Sequence, residues 1–214
     1  MLNKGGFYRQ RFKQKYGAIG GEECINLCHE RELYFVHNPK CAGTSIRHVL
    51  ELDSVAGADH RTPTNSVHPQ TWERYTTIVV VRHPIDRLCS SWKYHTSDSY
   101  TGLYWRSVPN LRKFSLKEYF NEMQRFRRCI IPQWNYVYHE WSTAEVDHIC
   151  KFENLESDFG DLAKKLGYET DSLPTLNASS RSLEKEMSLE SDSFWADVVS
   201  YYQQDFELFG YSVP

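Results

Sequence analysis

The sequence predicts an α/β protein built on a parallel β-sheet flanked by helices on both faces, and two observations carry that prediction. First, apolar β-branched runs alternate with amphipathic ones. "LYFVH" (33–37), "TTIVVVR" (76–82) and "VDHICKF" (146–152) read as strands, and the stretches after them read as helices. Second, residues 76–82 are apolar almost throughout instead of alternating, the pattern of an interior parallel strand covered on both sides.

The elements follow in order. "TSIRHVLEL" (44–52) sets Ile46, Val49 and Leu50 at helical spacing. "IDRLCSSWKYH" (85–95) is a helix entered through Pro84, a good first helical residue. "SLKEYFNEMQRF" (115–126) opens with Ser115 and Glu118 at capping-box spacing, and Leu116, Tyr119, Phe120 and Met123 form its apolar face. "LESDFGDLAKKLG" (155–167) is a helix closed by Gly167, and "SFWADVVSYYQQDFELFG" (193–210) is one long helix ending at Gly210. Residues 53–75 and 96–114 read as loops, the usual carriers of function.

A chain of 214 residues, 40% apolar, is enough for one large domain. Residues 32–214 are expected to form it. Residues 1–31 are read as a basic N-terminal extension, with Lys4, Arg9, Arg11, Lys13 and Lys15 and no acid before Glu22. The net charge of −3 argues against a nucleic-acid binder, so any anion site must be local. No stretch approaches the ~20 apolar residues of a membrane span, and the start lacks the apolar segment of a signal peptide. A cytoplasmic location is therefore expected, with the Golgi lumen as the alternative for a trimmed catalytic domain. Cys24 and Cys28 have ligand spacing, but no second close pair completes a zinc set, so the six cysteines are read as reduced thiols.

"NPKCAGTS" lies between a strand and a helix, the P-loop-like place for an anion. Small residues let backbone N–H groups turn toward a phosphate. Gly43 is expected to relax the backbone, Thr44 and Ser45 to offer hydroxyls or cap the helix, and Lys40 to supply a cation. The lysine precedes the glycine, so this is not the G-x-x-x-x-G-K-[ST] nucleotide loop, and the stretch alone also fits an ordinary capped turn. "VVVRHPIDRLCSS" repeats the strand-to-helix arrangement. Arg82 stands at the strand end and Ser90 about two turns into the helix, a guanidinium and a hydroxyl suited to a phosphate monoester. Arg87 reads instead as a structural ion pair.

"PKCAGTS" and "RHPIDRLCSS" resemble the two donor-binding signatures of PAPS-dependent sulfotransferases, PAPS being 3′-phosphoadenosine 5′-phosphosulfate. The resemblance is strongest to the carbohydrate branch, which includes the heparan 2-O and chondroitin 4-O enzymes. "IPQWNYV", "ICKFENLESDFGDLAKKLG", "LPTLNASSR" and "YYQQDFELFGY" continue it, in order, over roughly residues 32–211. The membrane anchor and stem of the Golgi members are expected to be missing.

The resemblance implies the sulfotransferase fold and an O-sulfotransferase with PAPS as donor and PAP as product, no metal requirement and a glycan-like hydroxyl acceptor. Lys40, Cys41, Ala42, Gly43, Thr44 and Ser45 would hold the 5′-phosphosulfate, and Arg82 with Ser90 the 3′-phosphate. Lys40 would also stabilise the leaving oxygen. A histidine suits the removal of the acceptor's proton. The resemblance favours His60 in "ADHRTPTNSV", with His68 as runner-up and His37 packed at the strand end. "WKYHTSDSYTGLYWRSV" and "RFRR" combine aromatics with Arg106, Arg125, Arg127 and Arg128, a combination that fits either acceptor contacts or core aromatics with a solvated helix end. A P-loop kinase acting on a small hydroxyl substrate is the competing enzyme, opposed by the missing Gly-Lys-Ser/Thr order. A PAP- or PAPS-binding module without turnover is the third reading, opposed by a lysine and a candidate base together. Oligomeric state is not legible.

Overall fold

The structure, a computed structural model, describes residues 24–52, 57, 59–126, 129–168, 188 and 190–214. In chain order the strands and α-helices are β1 (Leu27–Cys28), β2 (Leu33–Val36), α1 (Gly43–Val49), α2 (Pro63–Ser66), α3 (Pro69–Arg74), β3 (Thr76–Val81), α4 (Pro84–Thr96), α5 (Leu103–Ser107), α6 (Leu116–Phe126), β4 (His148–Lys151), α7 (Leu155–Lys165), α8 (Asp192–Tyr201) and α9 (Gln203–Phe209). The residues fall into two compact units. One takes the described residues through Val81 and those from Trp134 to Tyr168. The other takes Arg82–Gln133 and the described residues from Ser188 to Pro214.

The first unit holds the sheet, in the order β1-β2-β3-β4. β2, β3 and β4 run parallel, with Val36 beside Val79 and Val81 beside Lys151, as the apolar runs predict. β1 pairs antiparallel with β2, Leu27 facing Tyr34. The boundary expected at 31/32 therefore falls inside a hairpin, because two residues of edge strand leave no periodicity to read. Alternate residues divide between the faces. Leu33, Phe35, Ile78, Val80 and Cys150 share one core with Ile46 and Leu50 from the α1 segment and Phe159, Leu162 and Ala163 of α7. On the opposite face the Tyr34 ring meets Trp72 of α3 edge-on at 6.2 Å. Asp147 fixes the start of β4, accepting at 2.8 Å from both the backbone N–H and the hydroxyl of Thr77. The sheet is thus parallel-dominated and flanked by helices, the α/β class the sequence predicts.

The second unit is helical among its described residues. Its core joins Ile85, Leu88 and Cys89 of α4 to Tyr119, Phe120 and Met123 of α6 and to Phe194, Val198 and Phe206. The capping box forms as read: Glu118 accepts from the Ser115 N–H at 2.8 Å, and the Ser115 hydroxyl accepts from the Glu118 N–H at 3.2 Å. Arg87 is buried, but its guanidinium donates to the carbonyls of Cys129, at 3.4 Å, and Ile131, and lies over the Tyr202 ring. These contacts give it the structural role that the sequence reading expected, securing backbone.

Three other readings are corrected. The stretch 53–75 contains α2 and α3, each opened by proline at its first position. The stretch 96–114 contains α5 and a 3₁₀ turn, Leu111–Lys113. The long C-terminal helix is two, broken at Tyr202, whose backbone leaves helical values (φ −103°, ψ 13°) while its hydroxyl donates to the Ile130 carbonyl at 2.7 Å. Gly167 and Gly210 do close their helices in the left-handed conformation, at φ +78° and +62°. "LPTLNASSR" and Arg127 and Arg128 lie outside the described residues. All six cysteines are free thiols. Among the described residues no helix is long and apolar enough to cross a membrane.

Candidate active site

The loop after β2 departs from the expected local logic. Lys40 and Ala42 carry its left-handed backbone, at φ +66° and +59°, and Ala42 stands at the N-terminus of α1 with no side-chain cap. Gly43 is outside the left-handed region. Its small size is needed because a Cβ there would lie 1.9 Å from His37 Nε2 and 2.1 Å from His37 Cδ2. The glycine therefore makes room for an imidazole, which corrects the expectation that it relaxes the backbone. Left-handed residues in such a loop turn backbone N–H groups toward one side, the kind of concavity that receives an anion. Asn38 anchors the loop by donating to the Val80 carbonyl at 2.9 Å. Cys41, Gly43 and Ser45 are buried, Lys40 and Ala42 half-buried, and Thr44 exposed. Neither hydroxyl caps α1, contrary to one of the roles expected for them.

His60 is brought to this loop through His37, their ring centroids 4.2 Å apart. His60 Nδ1 lies 3.1 Å from the His37 carbonyl oxygen. A carbonyl only accepts, so Nδ1 carries the proton, and the neutral ring keeps its lone pair on Nε2. That is the tautomer a general base needs. The backbone around it is braced. Asn26 donates to the Asp59 carbonyl at 2.8 Å, and Tyr136 donates its hydroxyl to the His60 carbonyl at 3.2 Å. Arg61 grips the Asp59 carboxylate with Nε at 2.9 Å and a terminal nitrogen at 2.6 Å. Burial alone would raise Asp59, but the Arg61 hydrogen bonds and charge win and hold it below the usual carboxylate range.

Both imidazoles are shifted toward neutrality. Burial pushes His37 well below the ordinary histidine value, with the charges of His60 and Arg47 adding to the effect. Crowding by protein also lowers His60, against the His37 hydrogen bond and Asp59, with Lys40 and Arg47 again helping. His60 is crowded on one side and open to solvent on another, so its drop is the lesser of the two. His68 is differently engaged: its Nδ1 accepts from the Gln70 N–H at 3.2 Å and caps α3. A neutral His68 in that role has spent its lone pair, which disfavours it as a base.

In the second unit, Arg82 has both backbone groups bound by one side chain. Gln133 Oε1 accepts from its N–H at 2.9 Å, and Gln133 Nε2 donates to its carbonyl at 2.7 Å. Gln133 is fully buried, and its own N–H donates to the fully buried Asp205 carboxylate at 2.7 Å. His83 follows, donating from Nε2 to the Ser212 carbonyl at 3.2 Å. Arg82 thus projects from a backbone clamped on both sides. Ser90 is half-buried on α4.

A model of the sulfotransferase family matches residues 24–212. The chain belongs to the sulfotransferase family. No curated protein and no solved structure matches it. The family match begins at Cys24, so it takes in the β1 hairpin that the sequence reading assigned to the extension. Sequence reasoning about this sulfotransferase missed the supports: Tyr136, the Asp59–Arg61 pair and the Gln133–Asp205 clamp. Gln133 and Tyr136 both lie in "IPQWNYV", where polar groups interrupt an apolar stretch, a signal that could have found them.

Proposed function

We propose that this sulfotransferase moves a sulfuryl group from PAPS to a hydroxyl of a carbohydrate-like acceptor. The observation that carries the reading is the fixed tautomer of His60 beside the Lys40 loop. An acceptor alcohol is too weakly acidic to ionise at neutral pH. Its proton would pass to His60 Nε2 as its oxygen bonds to sulfur. The bond from sulfur to the donor's phosphate oxygen breaks in the same step, and PAP leaves with the electron pair. Lys40 meets the charge that develops on that oxygen, with loop N–H groups assisting. Such transfers depend on positioning and charge stabilisation more than on covalent catalysis. Arg82 and Ser90 are assigned the donor's 3′-phosphate, where a guanidinium gives charge-assisted bonds.

The test is thermal unfolding with PAP, ADP or neither, with and without magnesium, paired with transfer of labelled sulfate from PAPS to a glycan panel. PAP should raise the midpoint without magnesium and beyond the effect of ADP, since a ligand of the folded state stabilises it. Equal shifts from PAP and ADP would remove the 3′-phosphate assignment. Magnesium-dependent transfer from ATP would favour a kinase.

A further inference from the structure

"WNYVYHEW", residues 134–141, is an aromatic-rich run of which the site described above uses only Tyr136. Trp134 and Tyr138 lie parallel, ring centroids 5.4 Å apart and planes 11° from coplanar. Tyr138 is 38% exposed and Trp134 is half-buried, so part of the pair faces solvent. The segment is tied three times to the stretch that carries the candidate base. Tyr136 donates to the His60 carbonyl at 3.2 Å, the Glu140 N–H donates to Thr64 Oγ1 at 2.9 Å, and His139 Nε2 donates to the Val67 carbonyl at 3.1 Å. The aromatic pair and the base are therefore held by one framework, in one unit.

We propose that the Trp134–Tyr138 pair is the acceptor platform, and that it receives the apolar face of an uncharged pyranose ring. The inference rests on the sulfotransferase reading above and names the acceptor class. A pyranose presents axial C–H groups on one face, which pack on an aromatic ring while the hydroxyls at its rim stay free to react. Charge decides the class. From Trp134 to Val146 there is no lysine or arginine. Glu145 pairs with Tyr138 across an isolated β-bridge, Glu140 follows two positions on, and Glu73 accepts from the Ser142 hydroxyl at 2.8 Å. The carboxylates beside Tyr138, Glu145 across the bridge and Glu140 two positions on, repel a uronate or a sulfated sugar and tolerate a neutral one.

The experiment is ligand-observed NMR and titration of the whole chain, without donor, using maltotriose and chitotriose as neutral probes and a hyaluronan tetrasaccharide as the anionic one. The wild type should prefer a neutral probe. Tyr138→Ala, at an exposed position, should weaken that binding about three- to tenfold and leave the PAP-induced shift in Tm unchanged. Glu140→Lys with Glu145→Lys should move preference toward the hyaluronan fragment. Tighter wild-type binding of hyaluronan, no binding of either neutral probe, or an unchanged affinity in Tyr138→Ala would overturn the proposal. Saccharide binding that persists without any sulfate transfer from PAPS would sink the reaction and leave the platform standing.

Discussion

Gly43→Ala isolates the contact that links the anion loop to the base. The new methyl would meet His37 Nε2 at 1.9 Å, Cδ2 at 2.1 Å and Cε1 at 2.8 Å. Unstrained contacts need ~3.5–4.0 Å, so the imidazole would have to retreat by about 1.5 Å or more. It has little room, because His37 is buried and packs on Phe35 with ring centroids 5.5 Å apart and on His60 at 4.2 Å. Overpacking of this kind costs about 1–3 kcal/mol, which urea unfolding resolves as a lower midpoint at unchanged m. Displacement of about 1 Å at a catalytic group can cost up to ~100-fold in rate, so kcat should fall as well. The control is His37→Ala. It removes the ring but keeps the backbone carbonyl to which His60 donates. In that background Gly43→Ala should cost nothing, or gain up to ~1 kcal/mol from alanine's helix propensity. The same loss in both backgrounds would refute the steric argument and return Gly43 to a backbone role.

The remaining predictions concern the individual charges. His60→Ala should lower kcat by ~10²- to 10⁴-fold with little change in PAP affinity, as loss of a general base does; a near-normal kcat would move the role elsewhere. Lys40→Ala should act on kcat more than on donor KM, because its charge matters most as the leaving oxygen becomes negative; a pure KM effect would contradict that role. Arg82→Ala should weaken PAP binding, and Gln133→Ala should do so less than additively with it while costing about 1–3 kcal/mol of stability for the unpaired Arg82 backbone groups; full additivity would show the clamp does not act through Arg82. Lowered histidine pKa values give a pH signature. The folded state binds fewer protons than the unfolded chain below ~6.5, so stability is full above that pH and declines as pH falls toward the folded values of His37 and His60. The acid limb of kcat should likewise lie below ~6.5, and a limb above it would contradict the His60 environment.

How much of this was legible depends on the range over which each signal acts. β2, β3 and β4 and the larger helices announce themselves through periodicity within a few residues, and Ser115 with Glu118 sets a helix start from a spacing alone. β1 is two residues long and exists only because Leu33 and Tyr34 offer an edge, so nothing local marks it. α2 and α3 carried readable starts in Pro63 and Pro69. Their four and six residues are too few for an amphipathic period, which is why the stretch reads as loop.

The site was legible as residue types and illegible as architecture. Lys40, Arg82 and His60 stand out because their chemistry suits an anion or a proton. What makes them specific comes from far along the chain: Tyr136 reaches His60 across 76 positions, and Gln133 reaches Arg82 across 51. Gly43 shows how a correct residue can be given the wrong reason. A glycine in a phosphate-type loop invites a backbone explanation, yet the left-handed residues are Lys40 and Ala42, and the glycine answers to a side chain six positions before it. His37 thereby acts from both ends. Its carbonyl fixes the proton on His60 Nδ1, and its ring forbids a side chain at the first residue of α1. A change at Gly43 that leaves every charged residue untouched is expected to reach the base through that one imidazole.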